Sequence, residues 1–266
     1  MSAKIIAIAN QKGGVGKTTT TYNLAASLAM AGERVLMIDL DPQYSLTVNC
    51  GFKPNASIFN GKSVQNVFDP KTDIEECCFT VDSVGDLSEM LYLIPSSQEL
   101  AVWERDLYLK QNKAIPNFKE NIKKLTYFDY IFIDCPPNLG ALLLTALYSS
   151  DGIIIPVQTT FVSYEGLGLL MSTIKATKEV SPNKLTLSNP GLKILGVIGT
   201  LYRGMVAEHN EVLKRLVENY NVLGVIKEAA AVSKGFEKGL PVVLNLKQSD
   251  AAKEYNRIAD NLLLLE

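Results

Sequence analysis

Apolar residues along this chain gather into short continuous runs: Ile5 to Ala9, Val35 to Ile38, Leu91 to Ile94, Tyr130 to Ile133, Ile153 to Val157, Ile194 to Thr200 and Val222 to Ile226. Runs of that length predict strands buried on both faces. Between them the period changes. Leu24, Ala25, Leu28 and Ala29 recur at helical spacing and Gly32 follows as a stop; a helix is expected from about Tyr164 to Val180; and Tyr255, Ile258, Ala259 and Leu262 share one face of Ala251 to Leu265. The stretch from Ser96 to Lys124 reads as two helices broken by Pro116. From Gly51 to Ser88, with Pro54 and Pro70, the pattern loosens into an elaboration, a possible partner surface. Strands alternating with helices predict an α/β fold, a mostly parallel twisted sheet with helices on both faces, as a single domain over residues 1–266. Right-handed βαβ units then bring ligands to the carboxyl ends of the strands.

The first such end carries Gln11 to Thr19, QKGGVGKTT, between a strand and a helix. Gly13, Gly14 and Gly16 leave the backbone unobstructed, so with Val15 their N–H groups can turn onto phosphate oxygens at the positive end of the following helix. Lys17 supplies a mobile charge for the outer phosphates, and the Thr18 hydroxyl, followed by Thr19, is placed to hold Mg²⁺. This is the signature of a P-loop nucleoside-triphosphatase fold. Two further strand ends finish in acids: Asp39-Leu40-Asp41-Pro42-Gln43 and Ile133-Asp134-Cys135-Pro136-Pro137. Asp39, Asp41 and the loop glycines are expected to meet at one edge.

Composition narrows the partners. A formal net charge of -2 and a pI near 5.6 exclude a globally basic nucleic-acid coat, so any DNA contact must be a local patch. The four cysteines, Cys50, Cys77, Cys78 and Cys135, show no CxxC spacing, and no secretory leader is expected, which suits a reduced cytoplasmic setting. No apolar run approaches the ~20 residues of a membrane helix. His209, the single histidine, reads as a surface or capping residue near a helix start.

The loop departs from GxxxxGK[ST], because Gln11 stands at the first glycine position and Lys12 enters the glycine run. KGGVGKTT resembles the deviant phosphate loop of the ParA/MinD ATPases. The resemblance runs from about Lys4 to the last helix, is weak between Gly51 and Ser88, and includes Pro156-Val157-Gln158, Glu165-Gly166-Leu167 and Ser233…Gly239-Leu240-Pro241-Val242. It implies ATP and Mg²⁺ as cofactors, with Lys12 reaching across a homodimer to the partner's nucleotide. DLDPQ resembles switch I, making Asp41 the residue that orients or activates the attacking water and Asp39 a magnesium-side or structural carboxylate. IDCPP resembles Walker B and switch II, making Asp134 a magnesium ligand through water. Lys12, Lys17 and Asp41 are thus the implied catalytic residues, Thr18, Asp39 and Asp134 the metal side, and Lys227 and Ala229 adenine contacts. Cys135 lies inside the Walker B run, so the iron–sulfur bridge of the nitrogenase iron protein, which shares this fold, is rejected.

With the phosphate loop near residue 10, the chain resembles the short ParA/Soj type, without an N-terminal helix-turn-helix domain. That type implies an ATP-state dimer, non-specific double-stranded DNA as a partner, a ParB-like activator and a nucleoid-associated, cytoplasmic protein of plasmid or chromosome segregation. Where relatives carry DNA-binding arginines this chain has Arg203 but then Glu228 and Ala231, so the candidate DNA contacts are Arg203, Lys234, Lys238 and Lys247. A protein cargo for the same ATPase is one alternative. A MinD-like membrane cycle is another; the mixed charges of Ala251 to Glu266, Lys253 and Arg257 against Glu254, Asp260 and Glu266, argue against it.

Overall fold

The structure is a computed structural model that describes residues 2–53, 59–179, 187–228 and 239–264, with backbone alone within 108–113. The apolar runs form strands β1 (Lys4–Ile8), β2 (Val35–Asp39), β4 (Leu91–Ile94), β5 (Tyr130–Asp134), β6 (Gly152–Gln158), β7 (Lys193–Tyr202) and β8 (Val222–Lys227), with a short β3 (Phe79–Thr80). The sheet order is β3-β4-β2-β5-β1-β6-β7-β8, parallel except that β3 runs antiparallel to β4. From β1 the chain fills one side of the sheet through β5 and then crosses to β6, β7 and β8 on the other, so β1 sits at the switch point where such sheets bind ligands.

Each central strand is shared between two cores. Ile5, Ala7, Leu36, Ile38, Ile131, Ile133, Ile153 and Ile155 face one. Ile6, Ile8, Val35, Met37, Tyr130, Phe132 and Ile154 face the other. This strict alternation explains why the runs are apolar at every position: both pleat faces are covered. The first core is roofed by α3 (Leu100–Lys123), α4 (Ala141–Ser149), α5 (Phe161–Lys178) and α6 (Ala207–Asn219); the second by α1 (Lys17–Met30), α2 (Ser45–Asn49), α7 (Val242–Asn245) and α8 (Asp250–Leu263).

Three features differ from the expectation. The stretch expected as two helices is one, α3, with Pro116 inside it. An internal proline costs roughly 3 kcal/mol through a lost hydrogen bond and a steric clash. Ile115, Phe118 and Ile122 are buried around it, each contributing roughly 1.5–3 kcal/mol, so burial outweighs the break. The described part of the loose stretch after Gly51 packs more closely than its pattern suggests: Val64, Val67, Phe68, Ile74 and Cys77 enter the first core, and the Asn121 side chain donates to the Val67 and Asp69 carbonyls at 2.8 Å each. His209 is in the first turn of α6 but buried, not on the surface; its Nδ1 accepts from the Arg203 backbone N–H at 3.1 Å and lies 2.9 Å from Thr159 Oγ1. The ring thereby links the ends of β6 and β7.

Candidate nucleotide site

The loop between β1 and α1 turns through left-handed backbone at Gly14 (φ 73°) and Gly16 (φ 89°), a conformation that favours glycine. A side chain on Gly13 or Gly14 would meet nothing within 4 Å, so open space adjoins the loop at both glycines. Three side chains hold its shape. Asn10 Nδ2 donates to the Pro156 carbonyl at 2.7 Å while its Oδ1 accepts from the Lys12 N–H at 3.0 Å. Thr200 Oγ1 donates to the Val15 carbonyl at 2.8 Å, and the Gln11 amide donates to the Gly166 carbonyl.

Lys17 is buried, and its Nζ donates to the Lys12 carbonyl at 3.2 Å. Burial pulls its pKa down, against the attraction of Asp134, Cys135 and Asp41. Thr18 Oγ1 donates to Asp134 Oδ2 at 2.7 Å. Asp134 is fully buried, and burial together with the negative charge of Asp39 pushes its carboxyl well above the usual range. A hydroxyl beside a buried carboxylate short of positive charge is an oxygen set suited to a hard divalent cation that keeps part of its water shell.

Asp39 and Asp134 are register partners on adjacent strands, and burial raises Asp39 to about 7. Yet both Asp39 oxygens serve the chain itself: Oδ1 accepts from the Asp41 N–H at 3.2 Å, and Oδ2 from the N–H and Oγ1 of Thr47 at 2.8 and 2.7 Å. Its hydrogen bonds pin the loop between β2 and α2. Asp41, nearly buried, accepts from the Gln43 N–H at 2.9 Å, and Ser96 Oγ donates to its carbonyl at 2.8 Å. Burial raises Asp41, with Gln43 N–H and Lys17 opposing. Tyr44 in the same loop has φ 47°, a strained backbone for a non-glycine residue of the kind that gathers at functional sites.

The expected phosphate and acid residues therefore converge at the carboxyl ends of β1, β2 and β5. The Lys12 Nζ points elsewhere, donating to Ser163 Oγ in the first turn of α5 at 2.8 Å. Lys227 is exposed at the end of β8 and ion-paired with Asp250 at 2.8 Å. Arg203 is paired with Glu228, its Nη2 2.8 Å from Glu228 Oε1, and Lys247 is exposed. Ala229, Ala231, Ser233, Lys234 and Lys238 lie outside the described residues.

A family model described as an AAA domain matches residues 3–187. The sporulation initiation inhibitor protein Soj of Bacillus subtilis is 32% identical, covering 96% of each chain. This chain belongs to the ParA/Soj family of ATPases. Solved structures share its fold. A cobyrinic acid a,c-diamide synthase from Mycobacterium smegmatis with bound ADP and magnesium is 31% identical with a TM-score of 0.77, over 98% of this chain and 94% of that one. A putative plasmid partition protein from Borrelia burgdorferi B31 bound to AMPPNP is 27% identical with a TM-score of 0.78, over 99% and 100%.

For this ParA/Soj ATPase, sequence reasoning missed the side chains that shape the loop from a distance. Asn10, Thr47, Ser96, Ser163 and Thr200 lie outside the phosphate-loop and acidic motifs, and four of them come from other elements. The one available signal was polarity at the carboxyl end of an otherwise apolar strand, as at Asn10 and Thr200.

Proposed function

We propose that this ParA/Soj ATPase is an Mg·ATP-driven switch for DNA segregation, which pairs with a second copy in the ATP state, binds duplex DNA without sequence preference and is reset by a ParB-like activator. The observation that carries the reading is the convergence of Lys17, Asp41 and the Thr18–Asp134 pair on one open glycine loop. The loop N–H groups and Lys17 bind the phosphates. Thr18 and Asp134 would hold magnesium, which when bound offsets phosphate charge; Asp39 we assign to holding the switch loop. Asp41 orients the attacking water: its backbone is fixed by Ser96 and one carboxylate oxygen by Gln43, and among the described residues Oδ2 has no protein donor. Lys12 leaves Ser163 for the phosphates of a facing protomer.

The test follows Lys12. Sizing with a non-hydrolysable ATP analogue should show the wild type moving to dimer and Lys12→Ala remaining monomeric while still binding the analogue. An unchanged shift in the variant would refute the role across the interface.

One observation favours a second reading, a protein cargo in place of DNA. Arg203 and Lys227 are each neutralised by an acid of the same chain, which removes local positive charge where DNA would be met. A mobility-shift assay on random-sequence duplex at low and high salt separates the two: ATP-dependent binding that fades with salt supports DNA, and none at low salt supports the protein cargo.

A further inference from the structure

The helical stripe Leu100, Glu104, Leu107 turns one face of α3 inward, and Leu100 and Leu107 are fully buried in the first core. A carboxylate in such a stripe needs a reason. Glu104 sits over the turn Asn138-Leu139-Gly140 that joins the IDCPP segment to α4, lining a shallow cleft with those residues and Arg105. The α4 N-cap is Gly140, which offers no side chain to the free N–H groups of the helix. Burial pushes the Glu104 carboxyl above its usual range, with the Leu142 backbone N–H opposing and the charge of Asp41 adding to it. Its Oε1 is buried without a hydrogen-bond partner among the described residues, and a Cβ on Gly140 would collide with it. Glu104 thus packs against the turn that follows the IDCPP segment.

We propose that Glu104 is a positioning residue for ATP hydrolysis, clamping the Asn138–Leu142 turn from α3 so that the Asp134–Pro137 segment keeps its place beside the Asp41 loop. The inference rests on the ATPase reading above. It explains the glycine at position 140: the carboxyl group of another helix occupies the space a side chain would take.

The test uses Glu104→Ala, Glu104→Gln, Gly140→Ala and the double variant Glu104→Ala/Gly140→Ala in the full chain. Three quantities are read: steady-state hydrolysis of Mg·ATP, affinity for a non-hydrolysable analogue, and hydrogen exchange at the amides of 141–144. Glu104→Ala should lower kcat about tenfold, as small misplacements near reacting groups do, while KM and analogue affinity stay within about twofold. Exchange at 141–144 should quicken. Glu104→Gln keeps an acceptor oxygen and should retain at least about half of kcat. Gly140→Ala should reproduce the alanine loss by displacing the carboxyl, and the double variant should be no worse than either single one. Unchanged exchange, quickened exchange at full kcat, or losses that multiply in the double variant would each overturn the proposal. A wild type that hydrolyses no ATP would sink the reading of the reaction instead, and the exchange rates would still decide whether Glu104 clamps the turn.

Discussion

The carboxyl ends of β1, β2 and β5 and the outer edge formed by β7, β8, α6 and α8 carry their charges in opposite ways. At the first, Asp39 and Asp134 are fully buried and Asp41 nearly so, with Lys17 as the described cation among them. At the second, Arg203 pairs with Glu228, Lys227 with Asp250, Arg215 with Glu211, Lys214 with Glu218 and Arg257 with Glu254, all on the surface. Buried acids lacking enough positive charge are costly on their own and become favourable when a cation and phosphates complete the site. Exposed pairs are worth about 0–1 kcal/mol each and complete themselves. The centre is thus built for a ligand, whereas a ligand at the edge must first displace acids already in place.

The largest break in this contrast is Lys17→Ala. It removes the buried cation, so ATP binding should fall below detection in calorimetry, a loss of about 3 kcal/mol or more; wild-type affinity would show that Lys17 does not meet the phosphates. Next comes Asp41→Ala, expected to cut turnover by about 10²-fold or more while analogue binding persists, since orienting water counts mainly in the transition state. If affinity and rate fall together, Asp41 is a structural or metal residue.

At the edge, Glu228→Ala frees Arg203 and should raise ATP-dependent DNA affinity several-fold. It should also steepen the plot of log affinity against log salt by about 0.9 for each added phosphate contact. An unaltered slope would remove Arg203 from the DNA face. The smallest effect is expected of Glu254→Gln. Hydrogen bonding from Arg257 holds the Glu254 carboxyl below its usual range, helped by the Val225 N–H at 2.9 Å. A lowered carboxyl pKa stabilises the fold above its unfolded value and loses that contribution as pH falls through the lowered one. The variant should therefore cost a small part of the stability at neutral pH, discounted by solvent screening, and the gap should shrink in thermal melts as pH falls below about 4.

The fold was legible wherever period and length agreed, as in the seven apolar runs and the helices α1, α5 and α8. The elements left unassigned have physical reasons. α4, ALLLTALYS, is apolar on nearly every side and shows no period, because it is buried between neighbours. β3 is a two-residue edge strand held by its partner β4. α6 carries a period, with Val212 and Leu216 buried, but only its start was marked, at His209. The glycine loop and its acids were legible because each motif is continuous in sequence and sits where a strand ends. Asn10, Thr200 and Ser163 were not: their task is defined by contacts across about 150 residues or more, which only the folded sheet brings together.

On the role proposed for Lys12, its hydrogen bond to Ser163 turns association between copies into an exchange. A solitary protomer already satisfies its signature lysine, so joining a second copy gains only the difference between a hydroxyl and a phosphate as the lysine's partner. Without the triphosphate that difference vanishes, and encounter between copies carries no reward from this residue. Pairing is then conditional rather than merely strengthened by nucleotide. Replacing Ser163 with alanine would release the lysine beforehand and lower the nucleotide concentration at which pairs form.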